Sequence, residues 1–453
     1  YLIFSQHFNE LKHRNRFWWN FAKLGILPII LLAVVIAPLF GEAKHRVVIP
    51  TAEQINLNTY TAPQLAFQPN KLSEAVGSNN FAVSGALTAD GRAIVADDMH
   101  LGLRAPNIWF RARLLTGKNS DVSGFSLPGI PSIIVGSNTH IAWGFTNSYG
   151  DWADFVRVQW LDPKHTKYLD SKGVEQTVSV FNETIKVKGK QDIIFPVHET
   201  VWGPITKTIN SSFALALQWT AQQPGALNIG LTELAKSQSL DQALLIAQSI
   251  GMPGQNLVIG DKNGRIAWRL TAHMPNRVGG CDKTAPIDPA TGCDWQGWLA
   301  GNENPILVDP KNNRLWTANG RVVDGQWLEL VGNGGYAFGA RASQIRNDLF
   351  NKKQFTEADL LAIQTDARSI FLKRWWELLN QQAKNAPANS ALKNLSQADT
   401  TWESTASTDA VSYRITRAWR LEVSNRIEEM LLAPAIDKLG KKSSTPGYTG
   451  FDY

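Results

Sequence analysis

Cysteine is nearly absent from this sequence: Cys281 and Cys293 are the only two in 453 residues. Their spacing is wrong for a redox Cys-x-x-Cys pair, and no second pair exists to complete a zinc site. A lone close pair that brackets a polar loop is typical of one local disulfide, although two unrelated thiols are the alternative. We therefore expect a disulfide between them, formed in an oxidising compartment.

Clustered basic residues are also lacking. The net charge is +6, but the lysines and arginines are scattered, without a basic stripe or an RNA-binding motif. This distribution excludes nucleic acid as an expected partner. No internal repeat or low-complexity linker divides the chain, and 43% hydrophobic with 19% charged residues is ordinary globular composition. The 17 tryptophans fit a substrate cleft lined with rings as well as a core.

One long apolar run is present, in Leu24–Phe40, where 17 residues carry no charge and follow several basic residues. A membrane span needs about 20 apolar residues, so the run is short for an anchor and long for a signal-peptide core. Basic residues before it would direct the rest of the chain outward, and Gly41-Glu42-Ala43 offers a small-x-small cleavage site. We expect a periplasmic or exported protein; a membrane anchor, a cleaved signal and a buried helix interrupted by Pro28 and Pro38 are the alternatives for residues 24–40.

Strand patterns dominate the chain after residue 78, and helical patterns dominate its last part. This order indicates an α+β fold rather than βαβ units. The predicted strands form hairpins across turns at 89–91, 136–138, 182–183 and 261–264, the last with a favourable Asn-Gly turn. Predicted helices cover 239–250, 356–365, 371–384 and 409–432, of which the first has a Ser cap and the second a Thr-x-x-Asp capping box.

The run Gly77-Ser78-Asn79-Asn80 precedes a strand, and a second strand leads into Asp97-Asp98-Met99-His100. A serine after glycine is by itself ordinary, and Ser78 lacks the Gly-x-Ser-x-Gly elbow of other serine hydrolases. Together, however, the two runs resemble the start of the catalytic chain in the penicillin acylase family of N-terminal-nucleophile hydrolases. The resemblance implies a four-layer αββα fold and self-cleavage between Gly77 and Ser78. It divides the chain into a leading segment (1–77) and a catalytic domain (78–453), which would stay together as a heterodimer.

Amide hydrolysis needs a nucleophile, a base for its proton and donors for the oxyanion. If Ser78 becomes an N-terminus, its own α-amine can be the base, because a pKa of about 7.7–8.0 suits proton transfer near neutral pH. A bridging water is the expected proton carrier. Asn79 and Asn80 would hold the new terminus. No His–Asp relay is then required.

Four further positions match the family pattern, and two of them, His100 and Asn256, have an ordinary structural alternative. His100, 22 residues after Ser78, stands where the family places a residue that contacts the serine's amine; it could instead hydrogen-bond a buried loop. Asn147 ends the strand whose backbone N–H faces the oxyanion in the family. Asn256 matches the side-chain oxyanion donor, and would otherwise be a turn residue before a strand. Arg277 occupies the place of a family arginine near the substrate cleft.

The remaining matches, in 314–319, 334–341 and 364–366, look like scaffold, and we give them no catalytic role.

Asp151 and Asp154, three residues apart in Gly150-Asp151-Trp152-Ala153-Asp154, could hold a hard cation, although paired aspartates in a turn are usually solvated. The resemblance implies a structural calcium here, bound through both aspartates and the carbonyl of Ala153. A further carboxylate normally comes from the chain before the serine, and none is identified in this sequence. No organic cofactor is expected.

The resemblance predicts an acylase that cleaves the amide of an N-acylated small molecule, such as an acyl homoserine lactone or a β-lactam side-chain amide. His100 favours long acyl chains. Because the chain begins at Tyr1 and its leading segment is short, we expect a sequence incomplete at both ends or a degenerate gene product. The alternative function is a non-catalytic, membrane-anchored relative that binds acylated ligands or partners.

Overall fold

The computed structural model describes residues 77–439 except 103–104, 117–119, 284 and 398–400. The predicted leading segment and its apolar run lie outside the described residues. The described residues fall into two compact units, one made of residues within 77–281 and 287–425 and the other of residues within 282–286 and 426–439. All the features discussed below lie in the first unit. No described helix is long and apolar enough to cross a membrane.

Nineteen strands are present in the described residues. They are β1 (Gly77–Val83), β2 (Ile94–His100), β3 (Phe110–Thr116), β4 (Ser120–Ser126), β5 (Val135–Ser137), β6 (Ile141–Asn147), β7 (Ala153–Gln159), β8 (Lys167–Leu169), β9 (Glu175–Thr177), β10 (Ser179–Ile185), β11 (Ile193–Thr200), β12 (Gly203–Thr208), β13 (Phe213–Trp219), β14 (Gln255–Asp261), β15 (Ile266–Thr271), β16 (Pro275–Val278), β17 (Asp294–Trp298), β18 (Ile306–Val308) and β19 (Arg314–Thr317).

Eight α-helices are described in the same residues. They are α1 (Gly230–Leu234), α2 (Leu240–Ile246), α3 (Gly325–Val331), α4 (Ala340–Phe350), α5 (Glu357–Gln364), α6 (Lys373–Asn385), α7 (Ala391–Gln397) and α8 (Val411–Leu439).

Two antiparallel sheets form the centre of the first unit. The first has three strands in the order β19-β1-β2, and the second has seven in the order β18-β15-β14-β6-β5-β4-β3. A five-stranded sheet, β10-β11-β12-β13-β7, and the two-stranded ribbons β16-β17 and β8-β9 complete the strand structure.

Alternate residues of a strand face opposite sides of its sheet, so apolar side chains cover both faces of each central sheet and form three buried cores. Between the sheets, Ala82 packs with Val258, Trp268 and Leu315. Helices α1 and α2 cover the outer face of the seven-stranded sheet, with a core that includes Trp143, Leu257, Leu234 and Leu240. Helices α4 and α5 cover the outer face of the three-stranded sheet, with a core that includes Phe81, Val83, Ile345 and Leu360. This is the predicted four-layer αββα arrangement, and the α+β class is confirmed.

Local sequence signals set several elements as expected. Ser239 caps α2 by accepting from the N–H of Gln242, and Thr356 forms the predicted capping box with Asp359 at the start of α5. β14 and β15 pair as the hairpin predicted from Asn263-Gly264, with Gly264 at a φ of 87°. The expected disulfide is present between Cys281 and Cys293.

One predicted hairpin is wrong. The turn expected at Asn182-Glu183 lies inside β10, which continues from Ser179 to Ile185. Both residues pair with β11, Asn182 opposite Pro196 and Glu183 opposite Phe195. Cross-strand pairing along this sheet edge therefore outweighs the local turn preference of an Asn-Glu pair.

Candidate active site

Ser78 is the second residue of β1, the central strand of the three-stranded sheet. Strand alternation gives it the same face as Ala82, which packs between the two sheets. Its hydroxyl donates to the carbonyl oxygen of Gly77 at 2.6 Å, so the predicted nucleophile touches the peptide group predicted to break. In this continuous chain the nitrogen of Ser78 is a peptide N–H, and it stands for the α-amine that cleavage would create.

Gly77 lies close to two polar side chains. A Cβ added there would lie 2.8 Å from Nη2 of Arg341 and 3.0 Å from Oδ1 of Asn319. A side chain at residue 77 would therefore displace the end of Arg341 and shift Asn319 away from the Gly77–Ser78 peptide group.

Asn319 connects the nucleophile to the opposite sheet. It is fully buried just after β19, with a left-handed φ of 62° that asparagine tolerates better than most residues. Its Oδ1 accepts from the N–H of Ser78 at 2.6 Å, and its Nδ2 donates to the carbonyl of Asn147 at 3.1 Å. One carboxamide therefore spans the gap between the serine and the end of β6.

Arg341, in the first turn of α4, fixes the serine from the other side. Its Nη1 donates to the carbonyl of Ser78 at 2.9 Å and to Oδ1 of Asn79 at 2.7 Å. Its Nη2 donates to Oδ1 of Asn319 at 2.9 Å. Hydrogen bonds from a guanidinium are stronger than neutral ones, so this side chain defines where the first residues of β1 lie.

Replacing Arg341 with methionine should lower the free energy of unfolding by about 2 kcal/mol, because oxygens that now accept from the guanidinium would lose that partner. Cleavage at Gly77–Ser78 should also slow, since the serine loses its positioning. Chemical denaturation and a time course of chain cleavage on gels measure the two effects. Arg346→Met, on the same helix but bonded to its neighbour Asn347, is the matched control and should change neither. Unchanged cleavage in Arg341→Met would contradict the positioning role.

The two residues predicted to hold the oxyanion are brought together by β-pairing. Asn147 ends β6 opposite Gln255, and Asn256 follows in β14. Asn256 is fully buried; its Oδ1 accepts from the indole N–H of Trp268 at 3.0 Å. That bond turns the Nδ2 of Asn256 toward the carbonyl of Asn147, 3.3 Å away, and toward Oγ1 of Thr146 at 3.1 Å. The donor end of the carboxamide thus lies at the end of β6 that Asn319 links to Ser78.

His100 lies beside the start of β1 but on the opposite face from the Ser78 side chain. It pairs with Gly77 across the strands, and its Nε2 lies 2.9 Å from Oδ2 of Asp98. Asn79 donates to the same carboxylate oxygen at 3.2 Å. Burial opposes ionisation of Asp98, but the hydrogen bonds from His100 and Asn79 outweigh it and lower its pKa. Contact between His100 and the serine's amine stays a prediction.

Asp97 lies on β2, the strand beside the start of β1, and its Oδ2 is buried. It pairs with Asn80 across the two strands, and its Oδ1 accepts from the backbone N–H of Phe145 at 2.9 Å. Its Oδ2 and both polar atoms of the Asn80 side chain have no hydrogen-bond partner among the described residues. Burial, with a smaller effect of the neighbouring charge of Asp98, raises the pKa of Asp97 well above its usual range.

The raised pKa of Asp97 predicts the direction in which the stability of the protein changes with pH. The folded protein holds a proton on Asp97 that the unfolded chain releases above about pH 4. The contribution of Asp97 to the free energy of unfolding therefore falls as the pH rises from about 4 to the raised pKa of the folded protein. Asp97→Asn keeps the acceptor for Phe145 without an ionisable group. Its melting temperature should exceed that of the wild type near pH 8, with the gap closing toward pH 4. Asp324→Asn, at an exposed position, is the control, and a gap independent of pH would contradict the assignment.

The predicted calcium loop is occupied by a side-chain cation. Nε of Arg277 donates to Oδ2 of Asp154 at 2.8 Å, and its Nη2 lies 3.2 Å from Oδ2 of Asp151. The indole N–H of Trp295 donates to the same oxygen of Asp154 at 2.6 Å. Ala153 begins β7 with an exposed side chain. Oδ2 of Asp154 already accepts from two N–H groups, and the contact of Arg277 with Oδ2 of Asp151 is an ion pair without hydrogen-bond geometry. Because the guanidinium stands between the two acids, the donor set as arranged does not fit calcium, and the described residues contain no cluster of three or more acidic, His or Cys side chains suited to a metal.

Arg277 is also the predicted substrate-binding residue. Its side chain is 5% exposed, so its geometry supports a structural contact with the loop. Substrate binding by Arg277 stays a prediction.

Asn319 and Arg341 are the site residues that sequence reasoning missed, because both fell in segments assigned to the scaffold. Asn319 follows β19 and Arg341 lies in the first turn of α4, two elements that the sequence analysis did not predict, so neither residue had a local signal that would place it beside Ser78.

Comparison with known proteins agrees with this geometry. A family model described as Penicillin amidase matches residues 14–447. Acyl-homoserine lactone acylase QuiP of Pseudomonas aeruginosa is 26% identical over 338 residues, which are 71% of this chain and 39% of that protein. Penicillin G acylase of Escherichia coli is 29% identical over 250 residues, 52% of this chain and 28% of that protein. The chain thus spans well under half the length of either relative.

A solved structure, the thermostable penicillin G acylase from Alcaligenes faecalis, aligns with a TM-score of 0.61 at 20% sequence identity. The alignment covers 73% of this chain and 60% of that one. At this level of identity the likeness is one of fold.

Proposed function

Because this chain belongs to the penicillin amidase family, we propose that it is a self-processing amidohydrolase whose nucleophile is Ser78. The observation that supports the proposal is a chain of hydrogen bonds from the N–H of Ser78 through Asn319 to the carbonyl of Asn147, which also accepts from Asn256. These residues link the nitrogen of Ser78 to the backbone and side chain proposed to bind the oxyanion. The proposed products of processing are a leading chain that ends at Gly77 and a catalytic chain that begins at Ser78, held together as a heterodimer.

The proposed cleavage is an N-to-O acyl shift followed by hydrolysis. The Oγ of Ser78 attacks the carbonyl carbon of Gly77, and the C–N bond breaks as the nitrogen takes the hydroxyl proton. Water then hydrolyses the resulting ester, which releases the carboxyl group of Gly77 and restores the hydroxyl. Contact between this hydroxyl and the Gly77 carbonyl, together with the Arg341 and Asn319 side chains around Gly77, supports this step.

Substrate hydrolysis would use the freed amine as base. The amine of Ser78 takes the hydroxyl proton through a bridging water while Oγ attacks the amide carbonyl carbon. The backbone N–H of Asn147 and Nδ2 of Asn256 stabilise the oxyanion, and the proton passes to the leaving amine as the acyl-enzyme forms. Water then attacks the ester and releases the acid. The pKa of an α-amine, about 7.7–8.0, suits this exchange near neutral pH.

We propose N-acylated small molecules as substrates, either acyl homoserine lactones or β-lactam side-chain amides, which correspond to the names of the relatives. Export is also part of the proposal, supported by the disulfide between Cys281 and Cys293. Membrane tethering through residues 24–40 stays a prediction.

Amine release tests the substrate proposal. The protein is incubated separately with short-chain and long-chain acyl homoserine lactones and with penicillin G, and the free amine is quantified by derivatisation. We expect release from at least one class, absent with Ser78→Ala. If a chain beginning at Ser78 forms but no amine appears from any of these compounds, the substrate classes are rejected while the self-processing proposal stands.

A further inference from the structure

We propose that the positively charged side chain of Arg277 takes the place of a calcium ion between β6 and β7, so that this chain stabilises the connecting loop without calcium. The loop follows Asn147 and contains Asp151, and Asp154 is the second residue of β7. In a calcium site, an ion taken up from solution would neutralise the negative charges of Asp151 and Asp154. In this protein a guanidinium that belongs to the chain does so instead.

Three contacts place the guanidinium between the two acids. Nε donates to Oδ2 of Asp154 at 2.8 Å, while Nη2 lies 3.2 Å from Oδ2 of Asp151 and donates to the backbone carbonyl of Asp151 at 3.1 Å. The side chains of Arg277, Asp151 and Asp154 are 5%, 12% and 4% exposed. Buried carboxylates need a compensating charge, and a planar guanidinium with several donors suits two acids and a carbonyl at once.

The position of Arg277 is set by a covalently closed ribbon. It lies on β16 directly opposite Trp295 of β17, and the disulfide between Cys281 and Cys293 closes the ribbon just beyond this pair. The Cζ of Arg277 lies 5.3 Å from the centre of a Trp295 ring, whose N–H donates to Asp154. A pre-positioned arginine loses little conformational freedom when it pairs, which favours it over an ion recruited from solution.

The loop held in this way begins at the end of β6, and its first residue is hydrogen-bonded to the residue just before β14. Strands β6 and β14 are the two strands of the proposed oxyanion site. Immediately after Asn147, Ser148 donates through both its backbone N–H and its hydroxyl to the carbonyl of Gly254, at 3.2 and 2.9 Å. Gly254 precedes Gln255 and Asn256 in β14. The Arg277 contacts therefore fix a loop that begins at the backbone donor proposed for the oxyanion.

Metal analysis and thermal unfolding test this inference without an activity assay. The purified wild-type protein, dialysed against buffer without added metal, should contain no stoichiometric calcium, and its melting temperature should be the same in EDTA and in calcium. Arg277→Met should melt at a lower temperature, because two buried acids lose their cation. Calcium at about 1 mM, the range of weak protein sites, should restore part of that loss.

Arg277→Lys keeps a charge without the planar fork and should melt between the wild type and Arg277→Met. It also remains informative if the methionine variant does not fold. The matched control is Arg157→Met on β7, whose acidic neighbour Asp288 is 3.9 Å away and where calcium should have no effect. One calcium per wild-type chain, or a wild-type melting temperature that falls in EDTA, would overturn the inference.

Discussion

Replacing Ser78 with alanine should reduce amide hydrolysis by roughly 10⁶-fold, as expected when a nucleophile is removed. The change deletes only the Oγ that contacts the Gly77 carbonyl, and leaves the N–H that Asn319 accepts. Because the same oxygen would open the Gly77–Ser78 bond, the variant should also remain a single uncleaved chain. Gel analysis and an amine-release assay measure the two losses together.

Ser179→Ala is the matched control for this variant, since it makes the same substitution at an exposed position on β10. It should be processed and active like the wild type. Hydrolysis by purified Ser78→Ala at the wild-type rate would show that another residue is the nucleophile.

Replacing Asn256 with alanine should lower kcat by about 10²–10³-fold, the usual cost of losing one oxyanion donor. Asn256 is buried, and its bond from Trp268 fixes the direction of its Nδ2. The rate is to be divided by the amount of chain that begins at Ser78, which separates slower hydrolysis from slower processing. KM should change much less, because the donor acts on charge that develops in the transition state.

Asn263→Ala, in the exposed turn of the same hairpin, is the control and should leave kcat within a factor of about two, as surface substitutions usually do. If Asn256→Ala raised KM and left kcat unchanged, Asn256 would be a residue for binding the ground state instead.

Sequence reasoning identified the parts of the site that lie in locally patterned strands. The hairpin around Asn263-Gly264 predicted the strands on either side of it, whereas the roles of Asn147 and Asn256 came from the family resemblance. Pairing of β6 with β14 then follows from the antiparallel sheet. The layers could be predicted through the family resemblance rather than from periodicity alone.

The parts that could not be predicted depend on contacts between distant segments. Asn319 and Arg341 reach Ser78 from 241 and 263 residues away, and only closure of the sheet and docking of α4 bring them there. Arg277 was matched by position to a cleft residue, but its role depends on the ribbon that faces it toward Asp151 and Asp154. Strand β10 shows the same effect on secondary structure, because pairing with β11 extends it through Asn182-Glu183.

The central claim is that Ser78 becomes an N-terminus, and intact mass spectrometry with N-terminal sequencing of the purified wild-type protein tests it most directly. The account predicts a chain whose first residues are Ser-Asn-Asn-Phe and whose amount increases with time after synthesis. A wild-type preparation that hydrolyses the substrates while every chain remains continuous through Gly77–Ser78 would contradict it.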